Sequence, residues 1–294
     1  MKPNLFIVGA PKCGTTAWYE YLRGHPDVFF PAMKEPHHFL GDFPGYPQIL
    51  SREEYLALFE GSGQAAVIGE ASPHYLYSDT AAEQIFAFNP DARVLIFVRD
   101  RADYLQSLFN QYLYNGMECL RDFRGAWALS GKRHSGNIPS HFTEPAMLDY
   151  RKAATFSPQV ERYFGLFPAE RIRVFHMRDW VDNPRAAYLA ILIFLGLEDD
   201  GRTNFSRVNE AHRHRFELIM KLVQDPPRPV SWIVQAARRL TSRDGLGLGK
   251  LLYRLNRKRG RVVEIDAAMR AEIEEHYAED AKLLRPRLWR PAEL

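Results

Sequence analysis

Cysteine is scarce in this chain: only Cys13 and Cys119 among 294 residues carry a thiol. Two thiols cannot build the multi-bridge framework of a small secreted domain, so a reducing, cytoplasmic compartment is expected. Long apolar runs are missing as well. The first, Leu5 to Val8, falls far short of the roughly 7 to 15 residues of a signal-peptide core or the about 20 of a membrane span, which argues against an anchored, lumenal protein. Strong charge of one sign is absent too. The formal net charge is +3, so composition gives no reason to expect nucleic acid, and any basic function must come from local clusters. Internal repeats and low-complexity tracts are lacking, which removes solenoid architectures.

What is present is enough apolar material, 46% of residues, to fill a sizeable core. Strand-length apolar runs bounded by turn residues lie at Leu5 to Val8, Ala66 to Ile68, Val94 to Val98 and Ile172 to Phe175. Helical stretches fall between them. Ser51 to Phe59 opens with a Ser-x-x-Glu box, Thr80 to Phe88 stops before Asn89-Pro90, and Ala102 to Asn115 and Pro184 to Leu195 each end at a glycine. This alternation predicts an α/β fold of three layers, with a central parallel sheet flanked by helices.

Between the first strand and a following helix runs Gly9-Ala-Pro-Lys-Cys-Gly-Thr-Thr16. It departs from the phosphate-cradling pattern G-x-x-x-x-G-K-[ST]: Thr15 stands at the lysine position and Lys12 sits earlier, within the loop. A glycine-containing turn into a helix aims backbone N–H groups and the positive helix end at one spot, which attracts phosphate or sulfate. Thr15 cannot bring the charge that a nucleotide hydrolase's lysine brings to the β and γ phosphates. Lys12, at the crown, suits a group bonded to a single 5′ phosphate. The strand Val94 to Val98 continues into Arg99-Asp100, a cation first, where a magnesium site wants a carboxylate; no metal is expected. Arg99 and Ser107, eight positions on, suit a second phosphate instead. Taken singly, the two glycines would only close a turn and Arg99 would only make a surface ion pair; together they point to two anion sites.

Beyond Asp225-Pro-Pro-Arg-Pro229 the composition shifts. Arg228 to Arg261 holds ten Arg or Lys against Asp244 alone, with Trp232, Ile233, Val234 and Leu240 interleaved. A basic, partly helical extension at about 225–262 is expected within a chain otherwise read as one domain over 1–294. It suits a lid, an acidic-substrate surface, peripheral membrane contact, or no more than a solvated face.

The loop and the second anion segment resemble the sulfotransferase family that uses 3′-phosphoadenosine-5′-phosphosulfate (PAPS). Pro11-Lys-Cys-Gly-Thr-Thr16 resembles its 5′-phosphosulfate loop, and Val94 through Ser107 its 3′-phosphate segment. Similarity continues through Lys34-Glu-Pro-His-His-Phe39, Gly69-Glu-Ala-Ser-Pro-His-Tyr75 and Gln159 to Leu197, covering roughly residues 4 to 215. The resemblance implies a P-loop-like fold and metal-free transfer of a sulfuryl group from PAPS to a hydroxyl of a carbohydrate or other small hydroxylated acceptor, releasing PAP. It implies that Pro11, Lys12, Cys13, Gly14, Thr15 and Thr16 hold the 5′ end, with Lys12 neutralising the leaving phosphate. Arg99 and Ser107 would hold the 3′ phosphate, and Arg213 and Arg215 belong to a loop that closes over the nucleotide.

Glu35 is the first choice of general base, as in heparan-type relatives, and Lys34 would steady the transferred group. His37, His38 and His74 are competing bases, and His38 and His74 are placed with Glu35 in the acceptor pocket. Acceptor loops are expected at His37 to Leu50 and Glu118 to Pro145. Tyr104, Tyr112 and Tyr114 on one helix could line a cleft or fill a core. Cys13 is either a thiol acidified by its basic surroundings or a small spacer. The chain departs from the family pattern at Ala71, where relatives often carry lysine, and at Arg101 and Tyr104, where many have proline and arginine. Two other classes stay open: an ATP-dependent P-loop kinase or hydrolase, which magnesium dependence would reveal, and a non-enzymatic basic adaptor working through 228–261 at a membrane surface.

Overall fold

A computed structural model describes residues 1–46, 51–133, 138–139, 142, 144–206 and 263–290, with two short strands at 213–214 and 257–258. Five strands form one sheet: β1 (Leu5–Gly9), β2 (Val28–Phe29), β3 (Val67–Ala71), β4 (Arg93–Val98) and β5 (Ile172–His176), in the order β2-β3-β1-β4-β5. Every pairing in it is parallel. β1 and β3 are buried along their whole length and β4 along all but its first residue, as strands covered by helices on both faces must be. The α/β reading with a helix-flanked parallel sheet is what the chain adopts.

Local signals explain most boundaries. α1 (Thr15–Arg23) starts after Gly14, whose φ of 87° is open to glycine and strained for other residues. The Ser51 hydroxyl accepts from the Glu54 N–H at 3.3 Å and the Glu54 carboxylate accepts from the Ser51 N–H at 3.1 Å, a complete capping box on α2 (Arg52–Ala57). Between β3 and β4 lies α3 (Ala81–Phe88), which ends before Asn89-Pro90 as expected. α4 (Arg101–Asn115), α5 (Phe123–Ala128), α6 (Tyr150–Ala154), α7 (Phe156–Phe164) and α8 (Met177–Asp182) follow along the chain. α9 (Pro184–Leu195) has the Asn183 side chain as N-cap and Gly196 in the left-handed region at φ 70°. The C-terminal helices are α10 (Ala267–His276) and α11 (Ala278–Leu284). Among the described residues no helix is long and apolar enough to cross a membrane.

The chain divides into two compact units, with one boundary inside α4. The first comprises Met1–Leu105, Tyr150–Asn209 and Asp266–Leu294 and contains the sheet. Within it Arg101, one of the departures from the family pattern, pairs with Asp280 of α11 at 2.6 Å and stacks over Phe156. The Trp289 N–H donates to the Val174 carbonyl at 2.7 Å, so the C-terminal segment covers the β5 edge. The second unit is Gln106–Asp149 with Glu210–Ile265. In it a fully buried Arg133–Glu118 ion pair, 2.6 Å, shares its carboxylate with the N–H groups of Cys119 and Leu120. A two-stranded antiparallel ladder joins β6 (Arg213–His214) to β7 (Arg257–Lys258). Arg215 and the extension at about 225–262, β7 apart, lie outside the described residues.

Candidate functional site

β1 is central, with β3 on one side and β4 on the other, and the chain reverses its direction of sheet growth there. In open parallel sheets ligands gather beyond the carboxyl ends of strands at such a point. Three adjacent strand ends supply the candidate residues. Beyond β1 come Pro11, Lys12, Cys13 and Gly14; beyond β4 comes Arg99; β3 ends in Glu70 and Ala71 and leads to Ser72, His74 and Tyr75.

Between β1 and α1 the chain is tightly held. The Ala10 N–H donates to the Phe97 carbonyl of β4 at 2.6 Å, and Lys12 adopts a left-handed φ of 64°. A side chain on Gly14 would overlap the indole of Trp180, from α8. Thr15 is buried and Thr16 half-buried on the first turn of α1, whose first N–H groups have no intrahelical acceptor. Burial pulls the Lys12 ammonium below its ordinary range; Glu35 opposes that shift, while Arg99 and Lys34 add to it. Lys12, Arg99, Lys34 and Glu35 therefore share one electrostatic neighbourhood.

Cys13 is wholly buried, and burial pushes its thiol up to about 12 despite Arg99, Lys12 and Arg101 nearby. An acidified thiol is overturned, and the small-spacer reading stands. Arg99 leans toward Asp103 at 3.6 Å. Asp100, the nearest carboxylate to that strand end, is taken by Arg178 at 2.8 Å. Ser107 is half-buried on α4, past the unit boundary. Among the described residues no cluster of three or more His, Cys, Asp or Glu could hold a metal ion.

The segment Lys34 to Phe39 is laced to the end of β3. The N–H groups of Glu35, His37 and Phe39 donate to the Ala71 carbonyl at 3.1 Å, Ser72 Oγ at 3.2 Å and Tyr75 Oη at 3.3 Å. Glu35 and His37 both have left-handed φ, 64° and 55°, an unusual pairing for non-glycine residues and a feature that gathers at functional sites. Lys34 Nζ hydrogen-bonds Glu35 Oε1, and His37 Nε2 lies 3.7 Å from Oε2. Burial raises the Glu35 carboxyl, but the charge and hydrogen bond of Lys34 lead the opposing causes, and the group is held below its ordinary value, hence ionised. Burial drives His37 down to about 3 and His74 down to about 4, so both imidazoles are neutral near pH 7.

His37, His74 and Tyr46 form one ring cluster, with Tyr46 4.8 Å from His37 and 5.2 Å from His74. His38 instead stacks on Tyr55 at 4.3 Å. The structure thus brings Lys12, Lys34, Glu35, His37, His74 and Arg99 to one sheet end and sets His38 against α2. Tyr104 and Tyr112 are buried core residues. Sequence reading missed Glu70, Ser72, Tyr46 and Tyr55 as neighbours of the base segment. The one signal available was a carboxylate in the middle of an apolar strand, Val67-Ile-Gly-Glu-Ala71.

A strand, a tight loop and a helix N-terminus with two ammonium groups and a carboxylate gathered about them define a P-loop-like α/β protein with a cluster of charged side chains at the carboxyl end of its sheet. Residues 2–215 match the sulfotransferase domain model, and the chain belongs to the sulfotransferase family. Carbohydrate sulfotransferase 15 of Rattus norvegicus is 31% identical over 154 residues, which cover 38% of this chain and 27% of that protein. Heparan sulfate glucosamine 3-O-sulfotransferase 6 of Homo sapiens is 33% identical over 111 residues, 36% of this chain and 31% of that one. The chain therefore spans less than a third of these relatives' length. The crystal structure of a sulfotransferase from Alicyclobacillus acidocaldarius aligns with a TM-score of 0.62 at 27% identity, covering 86% of this chain and 99% of the other.

Proposed function

We propose that the protein transfers a sulfuryl group from PAPS to a hydroxyl of a carbohydrate or other small hydroxylated acceptor. Membership of the sulfotransferase family supports the reaction class, and relatives named for carbohydrate and heparan sulfate substrates support the acceptor class. The observation that carries the reading is the gathering of Lys12, Lys34 and Glu35 about one strand-loop-helix end.

Bound PAPS would supply the sulfuryl group and a phosphate leaving group. Thr15, Thr16 and the first N–H groups of α1 would take its 5′ phosphate, and Lys12 would neutralise charge developing as the S–O bond breaks. Arg99 would take the 3′ phosphate; Ser107 joins it on the strength of the sequence segment, as do Arg213 and Arg215 for the closing loop. Glu35, ionised and partly open, would accept the proton of the attacking hydroxyl, while Lys34 steadies the group in flight. Burial disfavours charging His37 or His74, which argues against either as base. His74 would border the acceptor, whereas His38, stacked on Tyr55 of α2, is set apart from it. We assign the reaction to one domain over 1–294 with a basic extension near 225–262, working in the cytoplasm.

Thermal unfolding with PAP and no divalent cation tests the reading. Ligand at about 100 times its Kd should add about 2.7 kcal/mol, with adenosine 5′-phosphate far weaker at the same concentration. Equal protection by both nucleotides, or protection only by ATP with magnesium, would overturn it. Transfer of labelled sulfate from PAPS across a panel of glycans, lipids, phenols and small alcohols then identifies the acceptor.

A further inference from the structure

Glu70 has no part in the chemistry above, yet it is a fully enclosed carboxylate at the same sheet end, paired in register with Phe6 of β1. The hydroxyls of Ser72, Tyr75 and Tyr55 counter the rise that burial gives its carboxyl. Oε2 accepts from Tyr55 Oη at 3.4 Å, and Oε1 has no hydrogen-bond partner. Each of those hydroxyl residues also touches the base segment. Ser72 Oγ accepts from the His37 N–H, Tyr75 Oη accepts from the Phe39 N–H, and the Tyr55 ring stacks on His38. A hydroxyl whose oxygen receives an N–H still has its own proton to donate, and an ionised carboxylate is an acceptor only.

We propose that Glu70 is the positioning residue of the base segment. Its carboxylate draws the hydroxyl protons of Ser72 and Tyr75 inward, turns their oxygens toward the His37 and Phe39 N–H groups, and so holds Glu35 in its left-handed backbone. The proposal deepens the reading of Glu35 as base and rests on it. Lys34, Tyr55, Tyr75 and Tyr163 are the titratable groups that face Glu70, and Glu35, His37 and His74 lie beyond Lys34. Burial raises all three phenols, which stay protonated donors. Burial also pushes Glu70 up to about 7, so among these groups it is the one whose charge changes near neutrality.

The test is Glu70→Gln in the full chain, read by amide hydrogen exchange and by turnover. The amides of His37 and Phe39 should exchange about tenfold faster, while those of Leu95 and Val174 in the sheet hold their rates. Turnover should fall at unchanged KM for PAPS, and the limb of the pH profile near neutrality should vanish. Unchanged exchange at His37 and Phe39, or acceleration of every amide together, would overturn the proposal. If the variant does not fold, wild-type exchange at about pH 6 and about pH 8, corrected for intrinsic base catalysis, decides. Greater protection of the two amides at the higher pH supports the proposal, and equal protection sinks it. A wild-type protein that transfers no sulfate would remove the proposed reaction, while the exchange comparison would still settle what Glu70 does.

Discussion

At the scale of single residues, Glu35 has the sharpest consequence. Its carboxylate is bonded to Lys34 on one oxygen and approached by His37 on the other, and its backbone sits in a conformation that costs a non-glycine residue about 1–3 kcal/mol. Such strain persists where surrounding bonds enforce it, and here the Ala71, Ser72 and Tyr75 contacts do so. Glu35→Gln keeps the shape and removes the negative charge. Turnover should fall by about 10²–10⁴, the usual contribution of a placed base, with PAP protection against heat retained. Steady-state rates beside PAP titrations measure both. Near-normal rates would transfer the role to a histidine, against the neutral state that burial imposes on His37 and His74.

At the scale of elements, legibility in the sequence followed the strength of the local signal. β1 and β4 read correctly because they are buried apolar runs, β5 because Ile172, Val174 and Phe175 are apolar and buried, and α2 and α9 because Ser51, Glu54 and Gly196 are unambiguous caps. β3 extends three residues past its expected end at Ile68, because the hydroxyls of Ser72, Tyr55 and Tyr75 make a place for Glu70 that no linear pattern announces. β2, two residues long, has too little sequence to signal anything. The loop and Lys34-Glu35 were legible as motifs, but the knot of Tyr46, Tyr55, Ser72 and Glu70 depends on chain crossings. The turn from β1 to α1 offers a direct check. Gly14→Ala combines a strained φ of 87° with overlap of the Trp180 ring. It should destabilise the fold by about 1–3 kcal/mol and abolish PAP protection, measured by urea unfolding with and without the nucleotide. A variant of native stability that still binds PAP would show that the turn has room to move.

At the scale of the whole molecule, the same buried groups set how stability depends on pH. His37 and His74 have folded values of about 3 and 4 against an ordinary 6.5, so between these limits the unfolded chain binds protons that the native state refuses. Each such group makes stability fall as pH drops below 6.5. His176, lowered by burial, acts in the same direction. Glu70 does the opposite. Its folded value of about 7 lies above the ordinary 4.5, so the native state holds a proton that the unfolded chain has released, and stability falls as pH rises through that window. Between 4.5 and 6.5 two histidines against one carboxylate leave a net uptake of one proton on unfolding, more with His176. Stability should then rise with pH by about 1 to 2 kcal/mol per unit across this range and turn over just above it, where Glu70 titrates alone. Urea midpoints taken across the range check the slope. The double variant His37→Gln, His74→Gln should flatten it, because His176 and Glu70 then oppose each other. A slope unchanged in that variant would mean that the two imidazoles are charged in the native state, and with that the argument for Glu35 over histidine as base would fall.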